Sequence, residues 1–430
     1  MLNIAFAMKA GSIFFRAEFR SPRLEYILDE ILGRRLGLSY SFADKDDPLP
    51  EDAIAIHYGL PGNGQLEFPD SGILRENNKA RVAFKPGFEE YFLHTNQGET
   101  RNDLFGSAFF LLSLYREQTI IVEADQHGRI PEEVLFDENT SHQPLVEFWV
   151  AQLQMKLENL GLSFPQKPAS INLSIDWDNP TAYLHKGLFR NSASLLSELI
   201  QGKFSAANSR MRVLRGKESD PYDNLGGPVS THYLQSRRIF FWVGDYGKYD
   251  KGLPHTNTWY RDQIRNLSKE MIPGLHPSYA SFQKPEMLLK EKKRLEKILD
   301  QPVTASRFHY LRYRLPESYR LLEECGISDD FSMGFSAFPG FRAGTAYPFH
   351  FFDLEKNQQG NLLVHPFSLM DSSAAFRVEN GFQKFRRQAE AQLFAGKESR
   401  FPIHAIFHNE HPSWPGWENA ISEYLKLSSE

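Results

Sequence analysis

Four places along this chain end a strand-like run on a residue that could do chemistry. The first is Ile171 to Asp178, INLSIDWD. Read as a strand, it puts Ile171, Leu173, Ile175 and Trp177 on one face and Asn172, Ser174, Asp176 and Asp178 on the other. Two carboxylates therefore leave the same side, just before Asn179-Pro180 stops the run. Like charges so placed repel, and call for a cation or a shared proton; two solvated acids at a strand end are the plainer alternative. The second place is His276, which follows Met271, Ile272 and Leu275 and precedes Pro277. The third is Val303 to His309, where alternation puts Val303, Ala305, Arg307 and His309 on one face. The fourth is His408, closing Phe401 to His408 and followed by Asn409. No single place is specific, since a lone histidine such as His276 is more often structural. Together they fit a divalent metal held by a carboxylate and imidazoles, with a second carboxylate as general base. That ligand mix suits Zn²⁺ or a similar first-row ion with an open position that polarises a carbonyl.

The elements that must position these residues are legible as periodicities. Residues 1 to 160 read as a smaller α+β unit. Arg23 to Leu36 has helical spacing, two short strand-like runs follow (AIAIHYG and ARVAFKP), and Leu104 to Glu117 and Leu145 to Leu160 are further helices. Asp125 and His127, in the polar stretch EADQHGRIPE, read as a solvated turn rather than as ligands. Residues 161 to 430 alternate strands with helices, which implies a mostly parallel sheet or a barrel. Helices are expected at Ser192 to Gly202, Thr258 to Met271, Pro285 to Leu299, Glu317 to Cys325, Gly381 to Ala395 and Trp417 to Leu427. Strands are expected at Arg238 to Asp245, Val303 to His309, Leu362 to Leu369 and Phe401 to His408. In parallel α/β architectures the C-terminal ends of strands are where sites assemble.

Composition narrows the function classes. With 430 residues the chain can bury two sizeable cores, and a formal net charge of -5 argues against a nucleic-acid partner. The single cysteine, Cys325, excludes an internal disulfide framework and a cysteine-rich zinc site. No run reaches the roughly 18 apolar residues that span a bilayer. The N-terminal stretch lacks the basic start of an export signal, so the cytoplasm is the expected compartment. Thirty-five Phe, 17 Tyr and 6 Trp suit carbohydrate handling, and equally a large aromatic core.

Four segments carry a resemblance: Ile175-Asp176-Trp177-Asp178, Gly274 to Tyr279 (GLHPSY), Ser306 to Arg312 (SRFHYLR) and Gly340 to Thr345 (GFRAGT). They resemble a bacterial branch of the polysaccharide deacetylases, carbohydrate esterase family 4, which share the chitooligosaccharide deacetylase homology domain. Asn102 to Tyr115, Asp125 to Pro131 and Pro144 to Trp149 resemble the amino-terminal domain that precedes it in that branch. The resemblance implies a distorted, incomplete (β/α) barrel and one divalent ion, zinc by ligand type, held by an Asp and two His. Carried over by position, Asp178 and His276 would be ligands and Asp176 the base activating the attacking water. Arg307 would orient that base and His408 would be the general acid. Tyr279, Arg342, Asp220 and Tyr222 are the expected substrate contacts, the last two equally readable as a polar turn. The implied reaction removes an acetyl group from an N- or O-acetylated sugar or glycan.

One departure is important. The wider family has His-x-x-x-His at its second motif, and here Ala280 stands four residues after His276. His309, which shares a face with Arg307, is the expected replacement; Ser278 and Ser281 are poorer ligands. If no third ligand is supplied, the chain would be an idle glycan-binding or scaffolding protein. The same constellation would also serve a small-amide carbon–nitrogen hydrolase.

Overall fold

A computed structural model describes residues 12–62, 64–75, 82–135, 141–165, 169–223, 234–411 and 416–429. The sequence-stretch before residue 12 and part of the expected linker, 166–168, lie outside the described residues. The chain divides into two compact units. One takes residues up to 168 together with 314–319 and 341–366; the other takes 169–313, 320–340 and 367–430.

The first unit holds a parallel sheet, with β1 (Ile13–Ala17) between β2 (Tyr40–Phe42) and β3 (Ile54–Tyr58), and β4 (Leu66–Phe68) outside β3. A smaller antiparallel sheet is made by β5 (Ala83–Lys85), β6 (Phe92–Thr95) and β7 (Gly98–Arg101). The helix Leu104–Leu112 is buried along its whole length, as expected of so apolar a run. It does not continue to Glu117: Leu114 takes a left-handed conformation, and a separate turn of helix, Tyr115–Thr119, begins there. Its first turn is capped by Asp103, whose carboxylate accepts from the Gly106 amide at 2.8 Å. Arg23 to Leu36 is likewise two pieces, an α-helix Pro22–Leu28 running into a π-helical stretch Asp29–Arg35.

The second unit is built on seven parallel strands. They are β8 (Ile171–Trp177), β9 (Leu234–Phe241), β10 (Ile272–Leu275), β11 (Ala305–Ser306), β12 (Asp329–Asp330), β15 (Leu369–Met370) and β16 (Ile403–His408), in the order β12-β11-β10-β9-β8-β16-β15. Between β12 and β15 in sequence, the antiparallel hairpin β13 (Phe349–Asp353) and β14 (Gln358–Val364) belongs to the first unit. The fold is thus mixed α/β with parallel sheets, as the strand–helix alternation predicts. No pairing of β15 with β12 occurs among the described residues, so barrel closure is not seen.

Register explains how distant segments meet. The last strand, β16, returns beside the first strand of the unit, and His408 is the register partner of Asp176. Leu275 pairs with both Phe241 and Ser306, and Ser306 pairs with Asp330. The carboxyl ends of six strands therefore lie side by side. Because β8 is central, both its faces are covered, and its polar face is buried with its groups paired. Asn172 accepts from Ser236 at 2.7 Å, Ser174 bonds His404 at 2.8 Å, and Asp176 is 3 % exposed.

Two expected strands are shorter than their patterns. Val303 to His309 keeps only Ala305–Ser306 as β11, and His309 opens a 3-10 turn, His309–Leu311, in which Tyr310 and Leu311 have positive φ. Leu362 to Leu369 is split between β14 and β15. The helix expected at Ser192 to Gly202 starts earlier, at Leu188, and a second helix, Phe204–Leu214, follows it. Among the described residues, no helix is long and apolar enough to cross a membrane.

Candidate functional site

Asp178 leaves the end of β8 between two imidazoles. Its Oδ1 lies 2.9 Å from Nε2 of His276, and its Oδ2 lies 3.5 Å from Nε2 of His309. One ligand atom from each of the three residues falls within 4.8 Å of the others. Asp178 Oδ1 and His276 Nε2 are both buried, yet neither finds a hydrogen-bond partner despite their closeness. Two buried polar atoms that face each other without bonding are what two ligands of one cation look like, because an unpaired buried polar atom is costly. The group of Asp178, His276 and His309 could therefore hold a metal ion.

The second nitrogen of each histidine is anchored. His276 Nδ1 donates to the Arg307 carbonyl at 2.6 Å, and His309 Nδ1 donates to Asp250 Oδ1 at 3.1 Å. Those bonds turn Nε2 of each ring toward Asp178, and an anchored Nδ1 is the usual outer support of a metal-binding imidazole. Asp250 is held in turn by Trp242 Nε1 at 3.1 Å, by the Tyr279 amide at 2.9 Å and by the Ala280 amide at 3.3 Å. The Ala280 backbone thus helps, through Asp250, to support His309. Burial alone would raise the Asp178 carboxyl; the charges of His309 and His276 outweigh it and hold Asp178 well below the usual carboxylate range. Burial would lower His309, but the Asp178 and Asp250 carboxylates carry it up to about 10.

Asp176 sits one strand period back and is gripped by Arg307. The guanidinium, fully buried, donates from Nη1 to Asp176 Oδ1 at 2.7 Å, from Nη2 to Ser174 at 2.8 Å and from Nε to the Phe331 carbonyl at 2.9 Å. It also lies over the Phe240 ring, 4.4 Å from its centroid. His408 Nε2 stands 3.8 Å from the other oxygen, Asp176 Oδ2. Its Nδ1 donates to Asp371 Oδ1 at 2.7 Å, and His411 Nδ1 lies 2.8 Å from Asp371 Oδ2. Burial would lower His408, and Asp371 first, then Asp176, raise it to about 9. At neutral pH it is a cation aimed at a carboxylate.

Six residues from the strand-end reading, Asp176, Asp178, His276, Arg307, His309 and His408, are thus brought together within the second unit. Tyr279 joins them at the edge, packed against Tyr249 with ring centroids 4.3 Å apart and against Tyr310 at 5.6 Å. Tyr310 in turn abuts His309 at 4.7 Å and is 42 % exposed, so an aromatic wall borders the group. Asp220 is committed elsewhere. Its carboxylate accepts from the amides of Ala182, Tyr183 and Leu184 at 2.6 to 3.0 Å and from Tyr222, fixing the loop after β8. The polar-turn reading holds for it. Arg342 belongs to the first unit, where it makes a buried two-pronged pair with Glu117 at 2.8 and 3.0 Å. Asp125 is bound by Arg129, at 2.9 Å from Nε, and closes a turn.

Four contributors were not read from the sequence: Asp250, Asp371, His411 and Glu410. Burial, and secondarily the Asp178 charge, push the Glu410 carboxyl up to about 7. The nearest signal was the cluster His408-Asn409-Glu410-His411 at a strand end. Asp371, His408 and His411 form a second group that could hold a metal; His408 Nδ1 bonds Asp371 Oδ1 there, while His411 Nδ1 lies 2.8 Å from Asp371 Oδ2 without hydrogen-bond geometry. A cavity of about 1140 Å³ lies between the helices after β8 and the loop from Trp242 to Asn257; no residue of the Asp178 group lines it.

The family described as "Family of unknown function (DUF7033)" matches residues 13–162. A search of curated proteins finds no match. Among solved structures, a polysaccharide deacetylase from Bacillus cereus is 11 % identical with a TM-score of 0.29, covering 61 % of this chain and 88 % of that one. Puue allantoinase is 15 % identical with a TM-score of 0.36, covering 62 % and 88 %. Agd3, a carbohydrate deacetylase, is 8 % identical with a TM-score of 0.33, and covers 94 % of this chain and 79 % of its own.

Proposed function

We propose that this chain is a metal-dependent hydrolase that removes an acetyl group from an N- or O-acetylated sugar or glycan. The observation that carries the reading is the pairing of two functions on one polar strand face. Asp178 lies with His276 and His309, while Asp176, two residues earlier, is held between Arg307 and His408.

Asp178, His276 and His309 would hold the ion, zinc by ligand type. When bound, it would supply a Lewis acid that polarises the acyl carbonyl and makes water a better nucleophile. The rest is done by side chains. Asp176 is the general base: one oxygen is fixed by Arg307, which leaves the other, Oδ2, to take a proton. His408, held cationic by Asp371, is the general acid that protonates the departing amine or hydroxyl. Asp371 and Arg307 act as positioning residues. The Tyr249, Tyr279 and Tyr310 wall offers ring faces to a sugar and excludes water from one side.

The test is acetate release from acetylated chitooligosaccharides and from O-acetylated sugars, with the purified chain supplied with zinc, beside its Asp176→Asn variant. Release by the wild type and its loss in the variant are expected. A wild type that binds these sugars, takes up zinc and releases nothing would overturn the reading in favour of an idle binding protein.

A further inference from the structure

The helical hairpin after β8 wears its apolar side outward. Its first helix, Leu188–Ile200, buries only Asn191. That side chain donates to the Tyr183 carbonyl at 2.9 Å and accepts from Arg210 of the second helix, Phe204–Leu214, at 2.7 Å. Arg210 also pairs with Glu198 at 2.6 Å. The first helix therefore turns a polar side inward, the reverse of an ordinary surface helix, while the second buries Ala207 and Val213 beside Arg210. Facing outward, Phe189 is 90 % exposed, Ile200 77 %, Phe204 68 % and Leu196 60 %. Phe189, Ala193, Leu196 and Ile200 recur at i, i+4, i+7 and i+11, so they share one face, whose first two residues also line the hollow beside the Trp242 to Asn257 loop. Of the seventeen large apolar side chains that stand exposed among the described residues, seven lie between Leu188 and Leu214. Single exposed apolar residues are ordinary; a cluster of this kind marks a contact surface.

Charge decides what the surface contacts. Residues 185–218 hold seven Lys and Arg (Lys186, Arg190, Lys203, Arg210, Arg212, Arg215, Lys217) against two acids, Glu198 and Glu218, the latter paired with Arg212 at 2.6 Å, in a chain whose formal net charge is -5. Glu198 is already matched by Arg210. A second copy of the chain docked face to face would bring these cations against themselves, which disfavours a symmetric dimer. Negative headgroups over an apolar interior match both features at once.

We propose that this hairpin rests on the surface of a bilayer rich in anionic lipid, with Phe189, Leu196, Ile200 and Phe204 among the acyl chains. Lys203, Arg215 and Lys217, all exposed, lie against the lipid phosphates. This is a surface attachment, not a span, and it does not depend on the hydrolase reading.

The test is sedimentation of the full chain with phosphatidylcholine vesicles, with and without added phosphatidylglycerol. The Phe189→Ser/Ile200→Ser and Lys203→Glu/Arg215→Glu double variants are run alongside, their folding checked by thermal melting. The wild type should sediment with the anionic vesicles, less so at high salt. Each double variant should bind roughly tenfold more weakly or worse, while keeping the wild-type melting temperature. No binding to anionic vesicles, or equal binding by wild type and both variants, would overturn the proposal. So would a lipid-free dimer in ultracentrifugation that the Phe189→Ser/Ile200→Ser variant abolishes, since the face would then be an interface between copies. Vesicle binding is read without any turnover, so failure here leaves the hydrolase reading untouched, and the converse also holds.

Discussion

Nε2 of His408 stands 3.8 Å from Oδ2 of Asp176, and the two are register partners on adjoining parallel strands. The other oxygen of the same carboxylate accepts from Arg307 at 2.7 Å. One carboxylate thus has a permanent cation on one side and a titratable imidazole on the other. Replacing it as Asp176→Asn keeps the shape and removes the base. Turnover should fall by about 100- to 10,000-fold with zinc content unchanged, read by acetate release beside elemental analysis.

Metal retention should separate the ligands from the base. Wild type is expected to carry about one divalent ion per chain, and Asp178→Ala or His309→Ala to carry much less. His309 is the informative position, because its Nε2 lies farther from Asp178 than that of His276, 3.5 Å against 2.9 Å. Full metal in His309→Ala would remove it from the ligand set.

Arg307 is fully buried and donates to three separate acceptors. Arg307→Met would strip Asp176 of its hydrogen-bonded cation and leave only His408 Nε2 at 3.8 Å, and stability should drop by about 3 kcal/mol in urea unfolding. A loss below about 1 kcal/mol would mean that Asp176 reaches solvent in a way its burial does not indicate.

His408 gives the chain a pH dependence of known sign. Its folded value, about 9, lies above the ordinary 6.5 because Asp371 and Asp176 outweigh the effect of burial. The folded state therefore binds one proton more than the unfolded chain between those values, and stability falls as pH rises through that window. The contribution is complete below about 6.5 and gone above about 9. Melting curves from pH 6 to 10 should show this slope in the wild type and a flatter one in His408→Gln. Parallel slopes in the two proteins would refute it.

Arg342 and Glu117 form a buried two-pronged pair in the first unit. Arg342→Ala should destabilise by about 3–5 kcal/mol, because it leaves Glu117 buried and unmatched. A variant as stable as wild type but with a raised KM would restore Arg342 to the substrate contacts.

The sequence by itself determined what is local. A two-residue period put Asp176 and Asp178 on one side of a strand, and strand–helix alternation called for a parallel sheet that gathers strand ends. Those two facts were enough to nominate six of the clustered residues. Tertiary structure decided what depends on adjacency. Nothing in Phe401 to His408 says that this strand pairs with β8, 230 positions away in the case of Ser174 and His404, and only that pairing sets His408 beside Asp176. His309 reaches Asp178 from a 3-10 turn rather than from a strand, because left-handed residues at Tyr310 and Leu311 bend the chain. Asp250 and Asp371 lie in loops or at strand ends without a periodic signal, and they become visible only when an imidazole nitrogen is seen to need an acceptor. Arg342 looked available in a Gly-rich stretch, and its partner, Glu117, is 225 residues earlier. Periodicity is written in neighbouring residues, whereas partnership across the fold is set by which surfaces bury each other, and a single sequence does not display that.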